Sequence, residues 1–268
     1  MGSPYARHPS YAIISSMLID THCHLHDRQF FSEAQAEEMI KHAHKNGVKK
    51  IVCIGTDPED SVAARDFADS HDGVYWTYGI HPEEHDKYKD GFVSNNKLVA
   101  IGEVGLDYHS DGYNREAQIK LFEKMLQLAV DHDLPVSFHV RNAFDDFFPV
   151  VANFPTVRGV VHSFTDNKKT LRKILENTEF FVGVNGLATY STLPLPPLER
   201  ILLETDAPFL TPEPFRGIIN EPGYVLNIAQ WLSDKLGLEF EIIEKETTEN
   251  AKRLYNFQDT KSATKRGE

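Results

Sequence analysis

The sequence predicts an α/β fold, a single (β/α)₈ TIM barrel, on three observations. Its 268 residues suit a barrel that typically takes about 250. Short apolar runs of strand length alternate with amphipathic, charged stretches, the pattern of successive βα units with buried parallel strands. Histidines and acids collect at the C-terminal ends of those runs, where barrel active sites form.

"LID", "KKIVCIG", "VYWTYGI", "LVAIGEVG", "LPVSFHV", "RGVVHSF", "EFFVGVNG" and "RILLETD" make eight strands. Between them run "SEAQAEEMIKHAHKNG", "DSVAARDFADSHDG", "NREAQIKLFEKMLQLAVDHD", "NAFDDFFPVVANFP" and "NKKTLRKILEN", which read as helices. The Pro-rich "LATYSTLPLPPLE" after the seventh strand shows no clear helix. A last helical region starts near Glu221 and Pro222, with proline early, as its fixed φ favours. An open doubly wound sheet is the alternative fold, but no strand leads into a G-x-G-x-x-G turn. The barrel is assigned to residues 17–257. Residues 1–16 read as a leader or cloning remnant, and residues 258–268 as a polar tail.

Composition narrows the function. At 41% hydrophobic the chain has the makings of a substantial core. No apolar run approaches the roughly 20 residues of a membrane span, and the first sixteen residues lack the apolar h-region of a signal peptide. Cys23 and Cys53 make no disulfide framework; both sit in apolar runs and read as small buried hydrophobes. A cytoplasmic protein is expected, and nothing calls for an obligate protein partner. The net charge of −12 argues against gripping duplex nucleic acid over a broad basic face. It leaves room for a local cationic site built on bound metal.

The segment "IDTHCHLH" raises that possibility. In a strand, residues two apart share a face, so His22 and His24 present two imidazoles side by side. Alone, such a pair is more often an accident of a polar loop than a metal site. Company arrives at other strand ends: Glu103 in "AIGEVGLDY", His139 in "VSFHV", His162 in "GVVHSF" and Asp206 in "LLETDAP". Each has a bland reading as a hydrogen-bonded strand-end residue or helix cap. Jointly, burying so many titratable groups without compensation costs several kcal/mol each. Two divalent cations resolve this, because they keep carboxylates ionised and imidazoles neutral. Glu103 is the best candidate to bridge them. Six ligands for two ions leave open positions, as a catalytic site requires. Two divalent ions, two carboxylates and one hydroxide leave about +1, which suits an anionic phosphodiester.

The motifs "IDTHCHL", "GIHPEE", "AIGEVGLDY", "LPVSFHVRNAFDD", "GVVHSFT", "FFVGVNGLATY", "ERILLETDAPFLTP", "RGIINEPGYV" and "TTENAKRLYNF", in this order over residues 17–257, resemble the TatD family of metal-dependent deoxyribonucleases, within the amidohydrolase-type barrels. The resemblance implies a divalent metal centre, hydrolysis of DNA phosphodiester bonds, Mg²⁺ support, and 3′→5′ exonuclease activity on single strands. It carries the ligand roles to His22, His24, Glu103, His139, His162 and Asp206. Three departures fall outside those ligands. His26 stands where the family often has Asp, Glu83 replaces the second His of "GIHPH", and the segment after "GLATY" is short. They bear on the rim of the cleft and hence on substrate preference.

The expected mechanism is attack of a metal-activated hydroxide on phosphorus, with Asp206 orienting the water and taking its proton. No Ser or Cys has the neighbours of a covalent nucleophile. His81 either contacts phosphate or protonates the leaving group, or is a loop histidine stiffened by Pro82. Arg141, two residues beyond His139, is a phosphate contact or a structural ion-pair partner. Asp107 reads as a support for the ligands. Tyr78, Trp76 and Phe164 stack a base or belong to the core. The imidazole-rich set suits Zn²⁺, Mn²⁺ or Ni²⁺ by ligand type, with Mg²⁺ or Mn²⁺ supporting activity. The alternatives are another barrel metallohydrolase, namely a phosphotriesterase, lactonase or amidase, or a D-aminoacyl-tRNA deacylase. The former usually bridge their metals with a carboxylated lysine on the fourth strand, where this chain offers Glu103. A non-enzymatic binding module would tolerate loss of ligands, and all six are present.

Overall fold

A computed structural model describes residues 17–89 and 91–257; the two terminal segments assigned from sequence lie outside the described residues. The strands are β1 (Leu18–Cys23), β2 (Val48–Cys53), β3 (Val74–Tyr78), β4 (Leu98–Asp107), β5 (Val136–Arg141), β6 (Gly159–Val161), β7 (Phe181–Val184) and β8 (Ile201–Leu203). They form one sheet in sequential order, every neighbouring pair parallel. Closure between β8 and β1 is made just beyond β8. Cys23 bridges Ala207, His24 N donates to Ala207 O, and Asp206 N donates to His22 O. The eight strands expected from the sequence are the eight observed, and the fold is the TIM barrel.

The helices are α1 (Glu33–Lys45), α2 (Pro58–Ser70), α3 (Arg115–Asp131), α4 (Phe144–Ala152), α5 (Lys168–Asn177), α6 (Val225–Leu236) and α7 (Phe240–Leu254). Their starts follow from local chemistry. Ser32 and Gln35 form a capping box on α1. Asp57 caps α2, with Pro58 at its first position. The 3₁₀ turn Pro82–Lys87 replaces a helix after β3, and the turns Gly186–Thr189 and Leu198–Arg200 flank the Pro-rich segment after β7. Prolines at 194, 196 and 197 cannot donate the amide bonds a helix there would need. The single last helical region expected from sequence is two helices, because Gly237 ends α6 in a left-handed cap with φ 65°.

Most of the core lies between the sheet and its helices. A second cluster draws side chains from every strand except β5, among them Ile19, Val52, Tyr75, Val99, Val160, Phe181 and Leu202, and adds Leu254 and Tyr255 at the end of α7. This fills the barrel as side-chain layers do in such folds. Among the described residues no helix is long and apolar enough to cross a membrane.

Two strands carry irregularities where they matter. Between Asp20 and Cys23, β1 advances three residues while β2 advances two, from Ile51 to Cys53. Between Ile101 and Val104, β4 does the same against Val136 to Phe138. Each is an extra residue on one strand, a bulge, which re-aims the local side chains. His22 lies within the first and Glu103 within the second.

Candidate metal centre

The strand ends bring the six sequence-predicted ligands into one cluster around Glu103. Its Oε1 lies 2.7 Å from His139 Nδ1, 3.8 Å from His162 Nε2 and 4.0 Å from His81 Nε2. Its Oε2 lies 3.4 Å from His22 Nε2. Asp206 Oδ1 stands 3.6 Å from His22 Nε2 and 3.5 Å from His24 Nε2. Four trios, each with ligand atoms within 4.8 Å of one another, follow: His22, His24 and Glu103; His22, His162 and Asp206; Glu103, His139 and His162; and His81, Asp107 and His139.

This cluster is buried, so its charges matter. Burial opposes ionisation of Glu103, but His162, His139 and His22 hold it well below the usual carboxylate range. Burial likewise opposes Asp206, and His24 with the neighbouring imidazoles pulls it down. Burial pulls imidazoles down too, yet Asp107 and Glu103 lift His139 to about 9, and Glu204 and Glu103 lift His162 to about 10. His24 also rises, because Asp206 outweighs its burial. His22 goes the other way, lowered by burial and by His162, whose ring stacks on it at 3.5 Å. A buried, neutral His22 therefore faces two carboxylates. Neither of its ring nitrogens has a hydrogen-bond partner, a costly state in a dry interior.

A divalent cation between Glu103, Asp206 and these imidazoles fits that gap. The donors are mixed nitrogen and oxygen atoms, as Zn²⁺, Mn²⁺ or Ni²⁺ prefer. Two of the trios share Glu103, one with His22 and His24 and the other with His139 and His162.

Carboxylates behind the ligands hold them in place. Asp107 Oδ2 is 2.8 Å from His139 Nε2, leaving Nδ1 turned to the cluster. Glu204, which the strand-end pattern did not single out, sits 3.1 Å behind His162 Nδ1, off the line of a hydrogen bond. Its Oε1 accepts from Ser163 N at 2.7 Å and from Asn185 Nδ2 at 3.3 Å. Gly183 makes room for it, since a Cβ there would stand 2.3 Å from Glu204 Oε2. Asp20, also missed, accepts from Thr205 N and Oγ1 at 2.9 and 2.6 Å and from His22 N at 3.3 Å. It thereby ties the first ligand strand to the segment entering Asp206. Asp206 itself adopts φ 59° and Ser163, after His162, φ 45°. Non-glycine residues in that region cost energy and persist where surrounding bonds hold them. One signal was available: Glu204 lies two residues before Asp206 in an apolar run, so an acid there shares a strand face with the ligand.

The remaining candidates divide. His81 reaches the cluster, and burial with the His139 charge lowers it to about 4. Its Nδ1 accepts from Glu83 N at 3.3 Å, so Nε2 carries the proton. Arg141 is exposed at the end of β5, and among the described residues it makes no ion pair. Trp76, Tyr78 and Phe164 are 0%, 3% and 5% exposed; they belong to the core, and the stacking alternative is corrected. His26 is not on the rim. It is buried, 2.9 Å from Asp60 Oδ1, behind α2's first turn. Glu83 is exposed and accepts from Ser110 Oγ at 2.5 Å. Cys23 and Cys53 are buried, free thiols.

The family described as TatD related DNase matches residues 19–256. The chain is 35% identical to the uncharacterized metal-dependent hydrolase YabD of Bacillus subtilis, over 90% of this chain and 100% of that protein. It is 30% identical to the 3′-5′ ssDNA/RNA exonuclease TatD of Erwinia billingiae, over 82% of this chain and 93% of that protein. Among solved structures it resembles YjjV, a TatD homolog of Escherichia coli, with TM-score 0.79 and 27% identity over 89% of this chain and 98% of the other. A TatD family hydrolase of Entamoeba histolytica shares the fold, with TM-score 0.82 and 21% identity over 91% and 99%.

Proposed function

The chain belongs to the family of TatD-related DNases and is a metal-dependent hydrolase of that family; from that footing we propose that it is a deoxyribonuclease, a 3′→5′ exonuclease favouring single strands. The observation that carries the reading is the cluster of His22, His24, His139, His162, Glu103 and Asp206, in which the buried His22 has no hydrogen-bond partner on either ring nitrogen. The Erwinia relative's activity supports polarity and strand preference.

Two divalent cations, when bound, supply Lewis acidity for activating water and offsetting phosphate charge. His22, His24 and Asp206 would hold one, His139 and His162 the other, with Glu103 shared. The chain's own residues do the rest. Asp206 orients the attacking water and takes its proton. His81, neutral at pH 7, donates Nε2–H to a non-bridging phosphate oxygen rather than protonating the leaving group. Arg141 offers its guanidinium fork to a neighbouring phosphate. Asp107 and Glu204 keep His139 and His162 turned inward.

The lysine-bridged barrel hydrolases fit less well. β4 holds no lysine, and Lys97 just before it is buried with Nζ on the carbonyls of Ala68 and His71. The test is hydrolysis of end-labelled single-stranded DNA beside a lactone, a phosphotriester and a D-aminoacyl-tRNA, each with and without EDTA. Metal-dependent cleavage of DNA alone supports the reading. Turnover of another substrate with intact DNA overturns it.

A further inference from the structure

We propose that Phe30 and Phe209 form a stacking shelf for one unpaired nucleobase beside the scissile phosphate. This rests on the nuclease reading and deepens it, by naming what makes a single strand the substrate.

Phe209 lies three residues beyond Asp206, in the loop after β8, and Phe30 lies in the loop between β1 and α1. Both loops rim the mouth that holds the cluster. Phe30 and Phe209 are 44% and 47% exposed, and their rings meet edge to face at 5.3 Å and 82°. Ile218 and Ile219, in the same loop as Phe209, are more than half exposed. The Phe209 ring is 6.3 Å from the ring of His24. An aromatic pair left in water beside a catalytic centre is unlike the scattered exposed apolar residues of any surface.

Both loops are pinned through their backbones. Phe209 N donates to Asp206 O at 2.8 Å. Phe209 O accepts from Asn220 Nδ2, and Asn220, fully buried, also donates to Thr205 O. Phe30 N donates to Asp27 O, as does Phe31 N, and the Phe31 ring is fully buried. The loop backbones that carry the rings therefore lose little freedom on binding, which favours affinity.

Electrostatics points the same way. A chain of net charge −12 has few phosphate contacts to offer, so its hold on a nucleic acid must come largely from elsewhere. Stacking is sequence-tolerant, because every base has a π-face. It also requires a face that is free, which a single strand or a frayed end supplies and an internal base pair does not. The core positions of Trp76, Tyr78 and Phe164 leave the rim aromatics to take this role.

The test uses the Mn²⁺-loaded protein and labelled single-stranded oligonucleotides, with intact bases or one abasic residue next to the cleaved bond. Phe209→Ala should raise KM about 5- to 150-fold, the span of one base–aromatic stack. The abasic substrate should raise the KM of the unaltered protein similarly, and the two losses should not add. Phe209→Trp should restore KM, whereas Phe209→Leu, apolar but without a π-face, should not. Phe30→Ala should fall between. Additive losses, or Leu restoring as well as Trp, would overturn the shelf. So would DNA cleavage with unchanged KM in both alanine variants, and that result leaves the nuclease reading standing. No cleavage of any oligonucleotide by the unaltered protein overturns the nuclease reading and the shelf with it.

Discussion

Glu103→Gln removes one charge and almost no volume, and so isolates what the central carboxylate does. Glu103 is 4% exposed and lies within 4.0 Å of four imidazoles. Gln keeps the packing but cannot neutralise two cations. The protein should stay folded and lose at least one metal. A cation at a hundred times its Kd stabilises a fold by about 2.7 kcal/mol. For a chain of this size that is roughly 5–10 °C in Tm, so two sites give roughly 10–20 °C. Saturating Mn²⁺ should raise the Tm of the variant by half that or less. Loss of a principal electrostatic stabiliser should slow DNA hydrolysis about 10²–10⁴-fold. Elemental analysis, thermal melts with and without Mn²⁺, and initial rates read all three. Unchanged metal content with a rate loss under tenfold would refute Glu103 as the shared ligand.

Other expectations follow from the same geometry. Glu204→Leu should weaken metal binding about 10–100-fold, the scale for a partner behind a ligating imidazole, and Glu204→Gln, which still accepts from Ser163 N, should lose less; equal losses in titrations with Co²⁺ would reduce Glu204 to a packing role. Metal-free protein should lose stability as pH rises. His139 and His162 have folded values of about 9 and about 10, above the ~6.5 of an unfolded chain. Their contribution is complete below about pH 6.5 and is lost as pH climbs through 9 to 10, so a Tm that increases over that window in EDTA contradicts the assignment. Arg141→Ala should flatten the slope of log K against log salt by roughly 0.7, from a wild-type value near −1.5 to −2, with metal content intact. A wild-type slope near −5 would reveal an extensive basic groove, and an unchanged slope in the variant would remove Arg141 from the substrate contacts.

The barrel was legible because the strand signal is local. Apolar runs such as "KKIVCIG" and "LVAIGEVG" stand between capped helices whose starts, Ser32 with Gln35 and Asp57 with Pro58, are written in neighbouring residues. The six clustered residues were legible because polar side chains at strand ends have one shared destination in this fold. What stood hidden depends on long-range approach. Glu204 gains its place only where β8 meets Ser163 and Asn185, and Asp20 only where β1 meets Thr205. The bulges that re-aim His22 and Glu103 are properties of paired strands, which one strand's sequence does not display. Aromatic content alone could not separate Trp76, closed into the core, from Phe209, held out on a pinned loop. His26 looked like a rim substitution and is instead a buried partner of Asp60, because the chain turns inward directly after His24.

The most direct test of the account is a time course on single-stranded DNA labelled at either end, run with metal-stripped protein and again after adding Mg²⁺ or Mn²⁺. The account predicts no cleavage by the stripped protein. On adding metal it predicts a 5′-labelled ladder shortening one nucleotide at a time and immediate release of a 3′ label as mononucleotide. Full activity in the stripped protein, or DNA that stays intact with either metal, would contradict it.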